Sequence, residues 1–244
     1  LSRQRGKTER IVAGWSMCGR FALQTDLSEI IERFQIQEVA CAYQPCDNIY
    51  PGQPIAAVIH DRINRLVAFQ WGLIPFWAKN PTGSHKLINA RAETVATKPS
   101  FKNAFQRHRC LIVADGFYEW QKTGDHKKKP WFIHLRSGAP CGFAGVFDTW
   151  VSPGGKEIRS CGIITTRANE LVSPIHERMP VIISRPAAAG WLDKGVQDRD
   201  QLLALLRPYP AEEMACRIRY PAPLPKVVDI FDNNINADEV SPRK

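Results

Sequence analysis

An α+β fold built on a mainly antiparallel, barrel-like sheet is expected from three features of this 244-residue sequence. Apolar residues gather in strand-length runs at 55–60, 65–71, 110–120, 131–135, 142–149, 158–165, 180–183 and 215–220. These runs succeed one another across Gly, Pro, Asn and Asp turns, without the regular strand–helix alternation of a doubly wound sheet. With 44% apolar and 23% charged residues, the chain is long enough to bury a full core and short enough for a single domain. The most apolar stretches, such as CLIVA at 110–114 and PVII at 180–183, are strand-length and far below the roughly 20 residues of a membrane span.

Taken in order, residues 1–17 form a basic leader whose IVAGW is too short for a secretory core, so it is expected to be non-native or removable. Met17 is the only early methionine and stands directly before CGRFAL. A short strand after Cys18 leads into TDLSEIIERFQ. There Asp26 and Glu29 pair like a capping box, and Leu27, Ile30, Ile31 and Phe34 share one helical face. Further short helices fit 99–107, 167–173, 186–192 and 198–206 among the strands. The domain is expected to span 18–230, followed by a flexible polar tail at 231–244.

Seven cysteines, at 18, 41, 46, 110, 141, 161 and 216, are odd in number and lack CxxC or zinc-ligand spacing. Neither a disulfide framework nor a structural metal is expected, and free thiols suit a reducing, cytoplasmic setting. The net charge of +9 is unevenly distributed. The leader carries +3, and the segment from Lys79 to Arg109 carries seven basic residues against Glu93 alone, which accounts for the remaining +6. With Phe101, Phe105, His85 and His108 interleaved, this stripe has the composition of a phosphate-backbone site; a solvated face would read the same.

No GxGxxG, GxxxxGK[ST], GxSxG or HExxH motif is present. Reactive side chains instead fall in MCGRF (17–21), NARAET (89–94), GFYEW (116–120) and HERMP (176–180). In GFYEW, strand alternation puts Phe117 and Glu119 on one face and Tyr118 and Trp120 on the other. A carboxylate walled by aromatics has reason to titrate high and to act as a general acid or base. Asp115 shares that face but lies about 13 Å away along a strand, too far to pair with Glu119. Pro180 disfavours helix at Met179, so HERMP is expected as a turn leading into PVII, with His176 on a loop where it can shuttle protons. Asn89 and Arg91 share one face of an extended segment, one suited to orienting a sugar and the other to holding a phosphate. Cys18, if freed by removal of Met17, is a 1,2-aminothiol. Its amine condenses with an aldehyde to an imine, and its thiol closes a thiazolidine ring with high effective molarity.

These strings together with WGLIPFW at 71–77, in this order and approximate spacing, resemble the SRAP family, the abasic-site processing proteins, from Met17 to about residue 230. The resemblance implies a protein that binds single-stranded DNA and captures abasic sites covalently through Cys18. Glu119 would assist sugar opening and proton transfer, His176 would protonate the sugar oxygen or promote reversal, and Asn89 would orient the opened sugar. Arg91 and Arg20 would hold phosphates, with Lys98 and Lys102 in the basic segment. Trp71 or Trp77 would stack on bases, Asn48 and Phe105 would be lesser DNA contacts, and Thr165 would line the pocket. No metal, organic cofactor or membrane is implied. The expected state is a monomer, nucleoid-associated when bound to damaged DNA, with possible lyase-type β-elimination through the imine. While the leader is attached, the Cys18 nitrogen is a peptide amide, so translation is expected to start at Met17. Two alternatives stand beside this reading: a cysteine-type peptidase cleaving itself before Cys18, and a non-catalytic single-strand binding module.

Overall fold

The computed structural model describes residues 19–81, 87–122 and 128–223. The expected leader, Cys18, His85, Lys86 and the expected tail from 231 lie outside them.

Strand β1 (Arg20–Leu23) is followed by helix α1 (Leu27–Phe34), whose single fully buried residue is Ile30. Asp26 occupies the N-cap position but its side chain makes no capping bond, so the expected capping box does not form. Strands β2 (Glu38–Val39) and β3 (Cys46–Ile49) precede a long hairpin of β4 (Pro54–Asp61) and β5 (Ile63–Trp71). Then come β6 (Asn89–Arg91), helix α2 (Lys102–Arg107), β7 (Arg109–Ala114), β8 (Gly116–Lys122) and β9 (Lys128–Leu135). The second half contains β10 (Cys141–Val151), β11 (Glu157–Arg167), β12 (Arg178–Pro180), β13 (Ile182–Ile183), helices α3 (Ala188–Leu192) and α4 (Arg199–Ala204), and β14 (Met214–Ile218).

The path β11-β10-β7-β4-β5 is antiparallel throughout and closes on itself, because β11 also pairs β5 in parallel through Ser160↔Gln70 and Cys161↔Trp71. This closure makes a small five-stranded barrel, a shape that removes exposed edges. A second sheet, ordered β14-β9-β8-β1-β3, packs its inner face on the barrel. Phe21 meets Trp71 at 5.3 Å and Phe143 at 6.0 Å between ring centroids, and Phe117 meets Phe143 at 6.2 Å, the two Phe143 contacts edge-on.

Two departures from the sequence reading have local causes. The run 110–120 is two strands in different sheets, broken at Asp115, whose carboxylate accepts from the Gln24 amide and the Thr25 hydroxyl at 2.6 Å each. A Cβ on Gly116 would sit 2.4 Å from the Ile133 carbonyl oxygen, so only glycine fits where the chain changes sheets. Residues 167–173 are not helical beyond the end of β11. Asn169 instead bonds the Val172 amide at 3.0 Å and the Tyr209 carbonyl at 2.8 Å, a side-chain alternative to helix bonding.

Candidate functional site

Strand β8 carries the first element of the site. Phe117 is in the core and Glu119 is only 5% exposed on the same face, as alternation predicts, while Tyr118 and Trp120 pack on the opposite side with Ala22 and Phe132. The antiparallel register of β1 with β8 ends at Arg20↔Tyr118, so Gly19, the first described residue, and Glu119 are the next positions along the two chains. Arg20 lies over the rings of Tyr50 (5.9 Å) and Trp120 (5.8 Å) and donates to Asn48 Oδ1 at 3.0 Å. Burial of Arg20 pulls its guanidinium pKa below the usual value.

The second element is a three-strand junction. Strand β6 runs parallel to β11, with Ile163↔Asn89 and Thr165↔Arg91, and β12 lies antiparallel on the other side of β11 through Thr165↔Pro180. Asn89, Arg91, Thr165 and the HERMP segment are thereby neighbours, although Glu93 and Arg178 are 85 positions apart in the chain. Arg178, 8% exposed, donates to both oxygens of Glu93 at 2.6 and 2.9 Å and to the Thr165 carbonyl at 2.6 Å. This forked pair holds the Glu93 carboxyl below its ordinary pKa. The turn expected over HERMP is only half present. Its Arg178–Pro180 half is strand, and the turn is confined to the residues before it, where His176 Nδ1 lies 3.0 Å from the Arg178 backbone N. Gln121 Nε2 donates to the Pro174 carbonyl at 3.1 Å, tying the end of β8, two residues beyond Glu119, to the His176 loop.

The third element is the turn after β5. Gly72, at φ +131°, lets the chain leave the barrel in a conformation that side chains rarely adopt. The following Phe76 and Trp77 are 55% and 54% exposed. Both ends of this turn are fastened to β10: the Phe76 amide donates to Asp148 Oδ2 at 2.9 Å, and Trp150 Nε1 donates to the Ala78 carbonyl at 2.7 Å. Two exposed rings are thus presented by a held backbone.

Over residues 17–219 the sequence matches the family described as SOS response associated peptidase (SRAP). The chain belongs to the SRAP family. It is 44% identical over 201 residues to the abasic site processing protein YoqW of Bacillus subtilis, covering 81% of this chain and 90% of that one. Over 194 residues it is 34% identical to the abasic site processing protein YedK of Escherichia coli, covering 75% and 83% respectively. The solved structure of a protein from Bacteroides thetaiotaomicron superposes with a TM-score of 0.76 at 26% identity, over 83% of this chain and 92% of that one.

Within this SRAP chain the expected DNA-contacting residues separate by burial. Arg91, Lys98 and Lys102 are exposed, as are Lys79 and Arg107. Trp71, in contrast, is 1% exposed, with its Nε1 donating to the Ile88 carbonyl at 3.0 Å, and Phe105 is 2% exposed against Trp191. Neither ring has a face free for a base, which corrects the expectation for both: each is a core group. Thr165 is fully buried and its hydroxyl reaches the Ala90 carbonyl at 3.4 Å, so it braces the junction from within. Asn48 is 5% exposed, its amide nitrogen donating to the Ala222 carbonyl while its oxygen serves Arg20. Arg109 leaves the basic stripe altogether, since its guanidinium is buried and donates to the carbonyls of Phe105, Gln106, Trp191, Asp193 and Val196.

Four residues of the neighbourhood escaped the sequence reading: Glu93, Arg178, Gln121 and Asp148. Glu93 carries a signal in hindsight, as the single acid between Lys79 and Arg109. The six described cysteines are all free thiols. Burial raises the pKa of Cys110 and Cys161, and that of Cys141 to about 12, which leaves these three protonated and inert. Among the described residues no group of three His, Cys, Asp or Glu side chains could hold a metal, and no helix is long and apolar enough to cross a membrane. Two surface depressions, of about 440 and 550 Å³, share Arg33, Tyr209 and Glu213 and include none of the site residues above.

Proposed function

We propose that this SRAP protein processes abasic sites in single-stranded DNA by covalent capture through Cys18, acting as a monomer with a reactive domain spanning 18–230. Abasic-site processing is supported by the family and by the names of its relatives YoqW and YedK. Covalent capture is supported by one observation above others: β1 pairs with β8 up to Arg20↔Tyr118, the positions next to Gly19 and Glu119, and the end of β8 is tied to the His176 loop. Cys18 is bonded to Gly19, the residue before β1, and in this reading its α-amine and thiol react with the help of Glu119 and His176.

In this reading the Cys18 amine adds to the aldehyde of the opened deoxyribose and expels one water to give an imine. The thiol then adds across the C=N bond, its proton passing to nitrogen, and the ring closes without a further leaving group. Glu119 and His176 exchange the protons that ring opening and dehydration require. Asn89 and Arg91 hold the opened sugar and a flanking phosphate, with Arg20, Lys98 and Lys102 along the backbone and Trp77 stacking on a base. The chemistry draws on no metal or organic cofactor. Free cysteines throughout the described chain favour a reducing, cytoplasmic setting.

A denaturing gel tests the proposal. Protein beginning at Cys18 and the 244-residue form are each mixed with single-stranded DNA carrying one abasic site. A heat-stable shifted band from the Cys18-first form alone is the expected result. No shift from either form, with reversible binding intact, would leave only a binding module. The family description as a peptidase favours a second reading, self-cleavage at the Met17–Cys18 bond. If so, the 244-residue form would shorten on standing and Cys18→Ser would block the shortening.

A further inference from the structure

His176 cannot act reproducibly unless its ring is held in one tautomer, and the residue that holds it lies in a different motif. Its Nδ1 is 3.0 Å from the backbone N of Arg178 and 3.2 Å from the Arg178 carbonyl oxygen. A backbone N–H can only donate, so the shorter contact favours a neutral His176 that accepts at Nδ1 and carries its proton on Nε2, over the Nδ1–H form that would donate to the carbonyl. If the ring gains a second proton, Nδ1–H can donate to the carbonyl of the same residue. The backbone of Arg178 therefore offers a partner to both charge states, and Nε2 is left as the nitrogen that exchanges protons.

That geometry depends on where residue 178 sits, and its side chain is fixed by Glu93. The guanidinium takes both Glu93 oxygens in a fork at 2.6 and 2.9 Å, a planar arrangement that resists rotation, and also bonds the Thr165 carbonyl at 2.6 Å. The same carbonyl accepts the Ala92 amide at 2.8 Å, so β6, β11 and β12 are locked through one oxygen. Glu93 is the acid that interrupts an otherwise basic segment, and its side chain is 44% exposed. Its carboxylate nonetheless turns to a buried arginine two residues from His176.

We propose that Glu93 is a positioning residue for the capture reaction: through Arg178 it fixes the Nε2–H tautomer of His176 and couples the NARAET and HERMP segments into one unit. The role in capture rests on the function proposed above. The claim about the ring does not.

Glu93→Gln keeps the size of the side chain but removes the charge and one acceptor of the fork. Glu93→Asp keeps the carboxylate. Two readouts are taken. The first is the nitrogen spectrum of His176 in histidine-labelled 244-residue protein without DNA, assigned with His176→Gln. The second is the single-turnover rate of adduct formation at saturating protein, in the form that gives an adduct, beside affinity for lesion-free single strands. Wild type should show the Nε2–H form alone, and Glu93→Gln a mixture of tautomers. Its capture rate should fall about 10- to 100-fold, the scale of a mispositioned catalytic group, with lesion-free affinity unchanged. Glu93→Asp should recover part of the rate and most of the single-tautomer spectrum. A purely structural role would lower stability without moving the tautomer. An unchanged spectrum or an unchanged capture rate in folded Glu93→Gln overturns the proposal. If wild type gives no adduct, the proposed function fails, and the spectra still decide whether Glu93 holds the ring.

Discussion

The two tryptophans of WGLIPFW offer a sharp contrast, because one motif carries them and the fold assigns them opposite environments. Trp77 is 54% exposed on a turn fastened by Asp148 and Trp150, whereas Trp71 is 1% exposed, packed on Phe21 at 5.3 Å and bonded to the Ile88 carbonyl. Replacing Trp77 by Ala removes a ring that is nearly half covered, so stability should fall by about 1–2 kcal/mol. If the ring stacks on one base it contributes about 1–3 kcal/mol, and its loss should weaken single-strand binding roughly 5- to 150-fold. Trp71→Ala removes a buried indole, its hydrogen bond and a ring contact, and should cost about 3–5 kcal/mol of folding free energy. Because the Trp71 ring has no face open to DNA, affinity per folded molecule should hold. Fluorescence anisotropy with a lesion-free oligonucleotide at fixed salt reads the first quantity, and urea unfolding reads the second. Unchanged affinity in Trp77→Ala, or a large affinity loss in Trp71→Ala at full folding, would refute the assignment of the exposed ring as the stacking group.

Other perturbations read other parts of the molecule. Neutralising Lys98 or Lys102, both exposed, should lower the slope of log K against log salt by about 0.7 for each phosphate the lysine had neutralised, and an unchanged slope would show that it faces away from the strand. Arg109→Ala removes the guanidinium from five carbonyl groups, of which that of Asp193 keeps the Val196 amide, and should destabilise the fold by about 3 kcal/mol or more in urea unfolding, while salt dependence of DNA binding stays the same. The Glu93 carboxyl is depressed by its fork with Arg178, so its contribution is present above the ordinary glutamate pKa and is lost as pH falls through the lower folded value. With the carboxylate 44% exposed, that contribution should stay below about 1 kcal/mol, and Glu93→Gln should flatten the acid limb of a stability–pH curve by that much.

Strand alternation in GFYEW was legible because β8 is a regular strand with one face on the core. Phe117 lies in the main core, and Tyr118 and Trp120 pack on the opposite face in a second buried cluster with Ala22 and Phe132. The barrel-like, mostly antiparallel sheet was legible from the succession of strand-length runs. Its closure through the parallel β5–β11 pair was not, since register between strands so far apart in the chain, Gln70 against Ser160, leaves no local trace. The break at Asp115 is marked in the sequence by the Asp-Gly pair between CLIVA and FYEW, and in the structure by a carboxylate bonded to the distant Gln24 and Thr25. Trp71 and Trp77 could not be told apart because hydrophobicity is equal for both, and only the turn at Gly72 separates core from surface. Arg109 and Lys102 look alike in a charge count. The guanidinium's five donors make it a better bridge to buried carbonyls than a lysine ammonium, and tertiary structure decided which basic residue met them. Glu93 and Arg178 likewise belong to motifs that the sequence keeps apart and β11 brings together.

The central claim is covalent capture through Cys18, and intact mass spectrometry of the reaction with abasic single-stranded DNA tests it most directly. Protein beginning at Cys18 should gain the mass of the DNA less one water without any added reductant, Cys18 should then resist alkylation, and Cys18→Ser should give no stable adduct. An equally stable adduct of the same mass from Cys18→Ser, or none from the Cys18-first protein while it still binds the strand, would contradict it.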